Sequence, residues 1–189
     1  MQLNQALLWL FSEIALVLVC ASSISALLKW RIAKGQPHAV IDNLTARINA
    51  WWGMIILLGI AFSLHKYGVM GLFFFISFAA LREFLSITYT RQGDHFMLQA
   101  CFFIFLPLQY YFIWTNWYGM YSILIPVYAF LFLPMLSLFS GDTTHFLQRT
   151  ATVQWALMIC VLCISYVPAL LTLPLVGFEG RNLLLIAFL

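Results

Sequence analysis

Charge is scarce in this chain. Nine Lys or Arg and six Asp or Glu make up only 8% of its 189 residues, where an average soluble domain carries about 25%. So few charges cannot coat a water-exposed globule of this size, which excludes a soluble single domain. A formal net charge of +3 forms no basic patch, which argues against nucleic acid as a partner. Cysteine is thin too. Cys20, Cys101, Cys160 and Cys163 all fall in apolar runs, so no disulfide framework is implied and the redox compartment is not revealed. Also missing are a nucleophile–base pair, a Gly-rich phosphate loop and a Walker-type motif. There are no internal repeats and no low-complexity linkers, which points to a single domain over residues 1–189. What is abundant is apolar: 64% of residues are hydrophobic and 17% aromatic, which also excludes disorder. An integral membrane protein remains, and at ~20 residues per crossing the chain has room for six or seven spans.

The apolar segments predict an all-α polytopic protein with helices at about Leu7–Leu28, Ala50–Leu64, Val69–Ile87, Phe96–Trp114, Gly119–Phe139 and Val153–Leu173. The first carries no Lys or Arg ahead of it and is too long for a signal-peptide core, so it reads as a retained helix. The second and third are joined by little more than His65–Gly68 and should form a helical hairpin. After the polar stretch Gly177–Asn182 a further apolar run covers only Leu183–Leu189. Seven helical residues rise ~10 Å, against a hydrocarbon core of ~30 Å. The expectation is six complete spans and a truncated seventh, with the chain a fragment of a longer protein.

Basic residues set the expected orientation. With the N-terminus outside, the inner loops hold Lys29, Arg31, Lys34, Arg47, Arg82, Arg91 and Arg149, and the outer side keeps Lys66 and Arg181. That is a positive-inside bias. Trp114, Trp117 and Tyr118 fall at an outer end, as an interfacial aromatic belt would.

Arg82-Glu83 is the sharpest polar feature, set in an apolar run near the inner end of the third helix. Adjacent helical positions point about 100° apart, so the two cannot simply face one another. A charge at membrane depth is costly enough to suggest function; the plain alternative is that both side chains snorkel to the headgroups. Glu13 is the other embedded acid, a proton or cation carrier if the protein is a transporter. Cys160 and Cys163 have C-x-x-C spacing, but no lysine, histidine or second pair stands near them, and packing is the better reading. His38, His95 and His145 share the inner side with Asp42, Glu83, Asp94 and Asp142, while His65 falls on the outer side. A metal site could be drawn from the inner group, yet polar residues gather in loops in any case. Pro107, Pro126, Pro134 and Pro168 predict kinks or local opening of their helices. Gln99, Gln109, Asn116 and Gln154 supply neutral amides, suited to a cavity or to ordinary helix-to-helix bonding. Ala21, Ser22, Ser25 and Ala26 permit one close helix contact.

Taken in order, several blocks resemble the N-terminal half of the phosphatidate cytidylyltransferase (CDP-diacylglycerol synthase) family, in its bacterial synthase-like branch. They are Asn43-Leu-Thr-Ala-Arg47-Ile-Asn49-Ala-Trp51-Trp52, Ala80-Leu81-Arg82-Glu83-Phe84-Leu85, Leu106-Pro107-Leu108-Gln109-Tyr110, Trp117-Tyr118-Gly119, Ile125-Pro126-Val127-Tyr128, Gln154-Trp155, Ser165-Tyr166-Val167-Pro168-Ala169-Leu170 and Glu179-Gly180-Arg181-Asn182. The resemblance covers about residues 40–189 and rests on the number and order of the blocks. It implies an enzyme of the bacterial inner membrane that makes CDP-diacylglycerol and pyrophosphate from CTP and phosphatidate. Such chemistry needs a divalent cation such as Mg2+ held by carboxylates, and Lys or Arg to spread triphosphate charge. The family keeps those groups in a C-terminal half, with Lys-Asp, His-Gly-Gly and paired aspartates around an arginine. None of these occurs here, so no catalytic residue and no metal ligand is expected in this chain. Arg82 and Glu83 are the positions carried over, as a supporting polar site near the nucleotide entrance. The expected partners are phosphatidate, CTP and the missing C-terminal half. Two other readings stand beside this one: a small transporter working through Glu13 and kinked helices, and a non-catalytic scaffold for a separately encoded half.

Overall fold

The computed structural model describes residues 2–33, 39–88, 94–139 and 144–172, and side chains within these except at residues 2–8, 32 and 33. The expected truncated span at Leu183–Leu189 lies outside the described residues, as do Lys34, His38, Arg91, Asp142 and Arg181. Six helices are long and apolar enough to cross a membrane, and no strand occurs among the described residues. We label them α1 (Gln2–Leu28, continued by a π-helical turn over Lys29–Ala33), α2 (Ala39–Ser63), α3 (His65–Ile87), α4 (His95–Trp114), α5 (Tyr118–Leu138) and α6 (Phe146–Thr172).

Two helices begin well before their expected starts. α2 opens at Ala39 rather than Ala50, and α6 at Phe146 rather than Val153. Both extra turns are polar, so a reading based on unbroken apolar runs stops short of them. The helix itself requires only paired backbone groups and continues past the apolar stretch.

The contacts divide the chain after Gly68 into two compact units. In the first, α1 lies along α2, held at several levels. Phe11 meets Phe62 edge to face at 5.8 Å, Trp52 Nε1 donates to Ser22 Oγ at 3.1 Å, and Ser25 Oγ lies 2.9 Å from Thr45 Oγ1. Of the small residues expected at a close helix contact, Ser22 and Ser25 make it. Lys29 and Asp42 form an exposed ion pair at 3.6 Å, of the kind that adds little stability.

The break between the second and third helices is shorter than the expected His65–Gly68 linker. Only Leu64 separates α2 from α3, and His65 there takes a left-handed φ of 54°. A Cβ on Gly68 would run into the Ala61 carbonyl oxygen and stand 2.6 Å from Leu64 Cβ. Glycine is therefore required at this position.

The second unit starts at Val69 and contains most of the buried core. Leu81 of α3, Met97, Leu106 and Ile113 of α4, Ile125 and Leu133 of α5, and Leu157 of α6 are all fully enclosed. Three of its helices switch to π-helical turns near prolines: Cys101–Phe105 before Pro107 in α4, Leu124–Ala129 around Pro126 in α5, and Met158–Cys163 before Pro168 in α6. Proline lacks an N–H and displaces the preceding turn, and a π turn is one way to absorb the mismatch.

Candidate functional site

Within the second unit, α3 and α5 finish at the end where α4 and α6 begin. We call this the Arg149 end, and the opposite one, with Trp117 and Tyr118, the Trp117 end. Alternation of the helices brings Arg82, Glu83, Asp94, His95, His145 and Arg149 to the Arg149 end.

Asp94 and Arg149 are the only charged side chains that are fully buried among the described residues, at 1% and 3% exposure. Asp94 precedes the first turn of α4 and Arg149 lies in the first turn of α6, with Arg149 Nη1 3.6 Å from Asp94 Oδ1. Each makes a further interaction besides this one. The pair therefore ties the starts of two spans together. Thr150 beside it is also buried, and its Oγ1 finds no hydrogen-bond partner among the described residues.

The sequence reading assigned both charges to a solvated inner loop and did not pair them. The signal was there: Arg149 stands four residues before Val153 and eight before Leu157, on the same buried face of α6. Starting the helix at Val153 left Arg149 outside the pattern.

Arg82 and Glu83 are exposed on the last turns of α3, while Leu81 and Leu85 beside them face the core. Neither takes an ion-pair partner among the described residues. Ser86 Oγ donates to the Glu83 carbonyl at 2.7 Å, a local helix bond. Glu13 is exposed on α1 in the first unit. The structure does not bring Asp94 and Arg149 into contact with Arg82 or Glu83. His95 stacks edge to face with Phe96, and His145 takes a left-handed φ of 51° just before α6. Cys160 is buried and Cys163 exposed, both as free thiols. Among the described residues no group of three or more His, Cys, Asp or Glu could hold a metal ion.

The neutral polar groups serve the helices themselves. Pro134 has no N–H for the carbonyl four residues back, at Phe130, and Gln154 Nε2 of α6 donates to that oxygen at 2.8 Å. Pro126 likewise gives nothing to the carbonyls four and five residues back, at Ser122 and Tyr121. Gln109 Nε2 of α4 donates to the Tyr121 oxygen at 2.9 Å and approaches Ser165 Oγ at 3.2 Å. Tyr110 donates to the Phe73 carbonyl at 2.7 Å, which leaves Ser77 as the donor in the 2.7 Å contact between Ser77 Oγ and the Tyr110 hydroxyl. Of the four amides singled out in the sequence, Gln109 and Gln154 are interhelical, whereas Gln99 and Asn116 are exposed.

Between α4 and α5 runs an open trough of about 400 Å³ lined by apolar side chains alone. Its walls are residues four apart, from Ala100 to Leu108 on α4 and from Met120 to Leu136 on α5.

The second unit of this all-helical polytopic fold thus gathers a buried Asp94–Arg149 pair and the exposed Arg82 and Glu83 at one end. The chain belongs to the cytidylyltransferase family, whose sequence profile matches residues 45–189. It is similar to an uncharacterized protein, YnbB, of Escherichia coli (strain K12), with 28% identity over 173 residues, 92% of this chain and 55% of the relative. The chain thus spans about half the length of that relative. No solved structure matches it.

Proposed function

We propose that this chain is the N-terminal, membrane-embedded part of a nucleotidyltransferase that makes CDP-diacylglycerol and pyrophosphate from CTP and phosphatidate. The family match over residues 45–189 carries this reading. In the reaction, a phosphate oxygen of the lipid bonds to the α-phosphorus of CTP. The bond from that phosphorus to the bridging oxygen breaks, and pyrophosphate leaves with the electron pair.

The family implies a divalent cation such as Mg2+, which neutralises triphosphate charge when bound. The described residues do not fit one, since no cluster of ligating side chains is present among them. No step is therefore routed through it here, and its ligands are assigned to the C-terminal half of the longer family chains. In the present chain the second unit provides a membrane scaffold. Its Arg149 end faces the cytoplasm of a bacterial inner membrane, with the N-terminus of α1 outside. Arg82 and Glu83, exposed at that end, have the supporting role of meeting charge at the nucleotide entrance.

The test supplies labelled CTP, phosphatidate and Mg2+ to membranes holding the 189-residue chain alone, and to membranes holding it with its C-terminal continuation. CDP-diacylglycerol is expected only in the second. Turnover by residues 1–189 alone would put the catalytic acids within this chain and overturn the division of labour. No turnover in either preparation would overturn the assigned reaction.

A further inference from the structure

Interhelical bonds in the second unit stand on either side of a layer of π turns. The turns are Cys101–Phe105 of α4, Leu124–Ala129 of α5 and Met158–Cys163 of α6, and none carries a charge. The α5 turn packs against both of the others, so the three form one continuous layer across these helices. On its Trp117 side, Gln109 Nε2 ties α4 to the Tyr121 oxygen of α5 and to Ser165 of α6. On its Arg149 side, Asp94 and Arg149 join α4 to α6, and Gln154 joins α6 to the Phe130 oxygen of α5. Each half is thus cross-linked through all three helices. None of the bonding residues belongs to a turn, and the layer itself is held by apolar packing, which is non-directional.

α3 is built differently. It runs from His65 to Ile87 with no proline and no π turn. Among the described residues, its polar ties to the rest of the unit come from Tyr110, whose hydroxyl donates to the Phe73 oxygen and meets Ser77. Tyr110 lies on the Trp117 side of the layer, so α3 goes with that half. Nearer the Arg149 end, α3 meets the other helices through apolar side chains such as Leu81 and Leu85.

Prolines and π turns are where helices bend sharply. A bend in one helix of a cross-linked bundle is resisted by its neighbours. Here the weak points of three helices coincide, and neither set of bonds spans them.

We propose that the layer is a hinge, about which the Arg149-side halves of α4, α5 and α6 swing as one body against α3 and the Trp117-side halves. The consequence falls at the Arg149 end. Arg82 and Glu83 ride on α3, whereas Asp94, His95, His145 and Arg149 ride on the moving half, so the hinge sets the gap between these two polar groups. Leu147 stands about 16 Å from the start of the α6 turn at 1.5 Å per residue. A change of about 20°, the size of a sharp helix kink, moves it by about 6 Å. The inference stands on helix geometry and holds whether or not the assigned reaction does.

The test places nitroxide pairs in the 189-residue chain in nanodiscs and reads their separations by pulsed electron paramagnetic resonance. Labels carried on p-acetylphenylalanine leave the native cysteines in place, since Cys101, Cys160 and Cys163 lie in the turns. Phe75–Leu147 reads across the hinge, Phe96–Leu147 within the moving half and Phe75–Tyr111 within the other, and all four side chains are exposed. The first pair should give a distribution about 6 Å broader than the other two, or two peaks that far apart. Because Phe75 and Leu147 each recur in a control pair, label motion does not account for the difference. The triple variant Pro107→Ala/Pro126→Ala/Pro168→Ala returns an N–H to each helix and should narrow the first distribution toward the controls. Three equally narrow distributions in the parent chain would overturn the hinge, whatever the variant does. A Phe96–Leu147 distribution as broad as the first would overturn the single moving body. A triple variant that stays folded and as broad as the parent would overturn the role of the turns.

Discussion

Replacing Arg149 by methionine removes one half of a buried ion pair and takes from Asp94, at 1% exposure, the guanidinium 3.6 Å away. At 3.6 Å and an effective dielectric of about 20, the Coulomb term alone is about 4–5 kcal/mol. Breaking buried pairs typically costs about 3–5 kcal/mol, because the abandoned charge retains its desolvation penalty. We therefore expect Arg149→Met to lose about 3–5 kcal/mol. Asp94→Leu should lose a comparable amount, though not an identical one, since each residue makes a further interaction of its own.

The double variant Asp94→Leu/Arg149→Met should recover most of that loss, or exceed the parent by about 1–4 kcal/mol, because an apolar pair has no charge to desolvate. At roughly 2–4 °C per kcal/mol for a chain of this size, the single variants should melt about 6–20 °C lower, and the double variant near or above the parent. The assay is a double-mutant cycle on thermal unfolding in nanodiscs, followed by circular dichroism. If both single variants melt within 2 °C of the parent, the pair is solvated and the burial argument fails. If the double variant is as unstable as the sum of the singles, the two charges are not coupled.

Gln154→Leu should cost about 1–3 kcal/mol by stranding the Phe130 carbonyl that Pro134 leaves without a donor. Pro134→Ala should suppress that loss by restoring the backbone N–H, and a melt showing no suppression would refute the capping role. Gly68→Ala should destabilise the junction around Leu64 by driving a Cβ into the Ala61 carbonyl. Gly59→Ala, which meets nothing within 4 Å, should be neutral or raise stability by up to about 1 kcal/mol; equal melting temperatures for the two variants would contradict the close approach. Tyr110→Phe should lose the bonds to Ser77 and Phe73 and melt lower by the equivalent of about 1–2 kcal/mol, and an unchanged melt would show those groups satisfied otherwise. For the supporting site, Arg82→Ala and Glu83→Ala, tested in the chain with its continuation, should raise KM for CTP without lowering thermal stability; wild-type kinetics in both would leave the two side chains with no part in nucleotide entry.

Composition and apolar periodicity made the six helices legible, because a bilayer imposes a length and a polarity on every crossing. The starts of α2 and α6 were not legible by the same rule. Beyond the hydrocarbon, a helix is held by its own hydrogen bonds and by packing, and hydropathy is silent about both. The error at α6 hid Arg149, whose place in the buried face depends on counting back from Val153 and Leu157. The prolines were visible as kink sites, but not what would repair them. Gln154 and Phe130 are 24 residues apart, Gln109 and Ser165 are 56 apart, and no local pattern links either pair. The π turns in α4, α5 and α6 were illegible for a related reason, since they leave no periodicity of their own.

These amides also bear on what the second unit contributes. An amide N–H that caps a carbonyl freed by proline is already used, so Gln109 Nε2 and Gln154 Nε2 are committed to joining proline-bearing helices and are poorly placed to bind phosphate. Prolines at 107, 126, 134 and 168 would open these helices to lipid if nothing closed the gaps, since an unpaired carbonyl in hydrocarbon costs several kcal/mol. For Pro126 and Pro134 the unit supplies donors from neighbouring spans, Gln109 to the Tyr121 oxygen and Gln154 to the Phe130 oxygen. The polarity enclosed in the unit thus serves its own helices, and the exposed charges Arg82 and Glu83 stand at the Arg149 end. On the proposed reading such a unit scaffolds chemistry carried by another segment, and the labelled-CTP comparison of the chain with and without its continuation tests that division of labour.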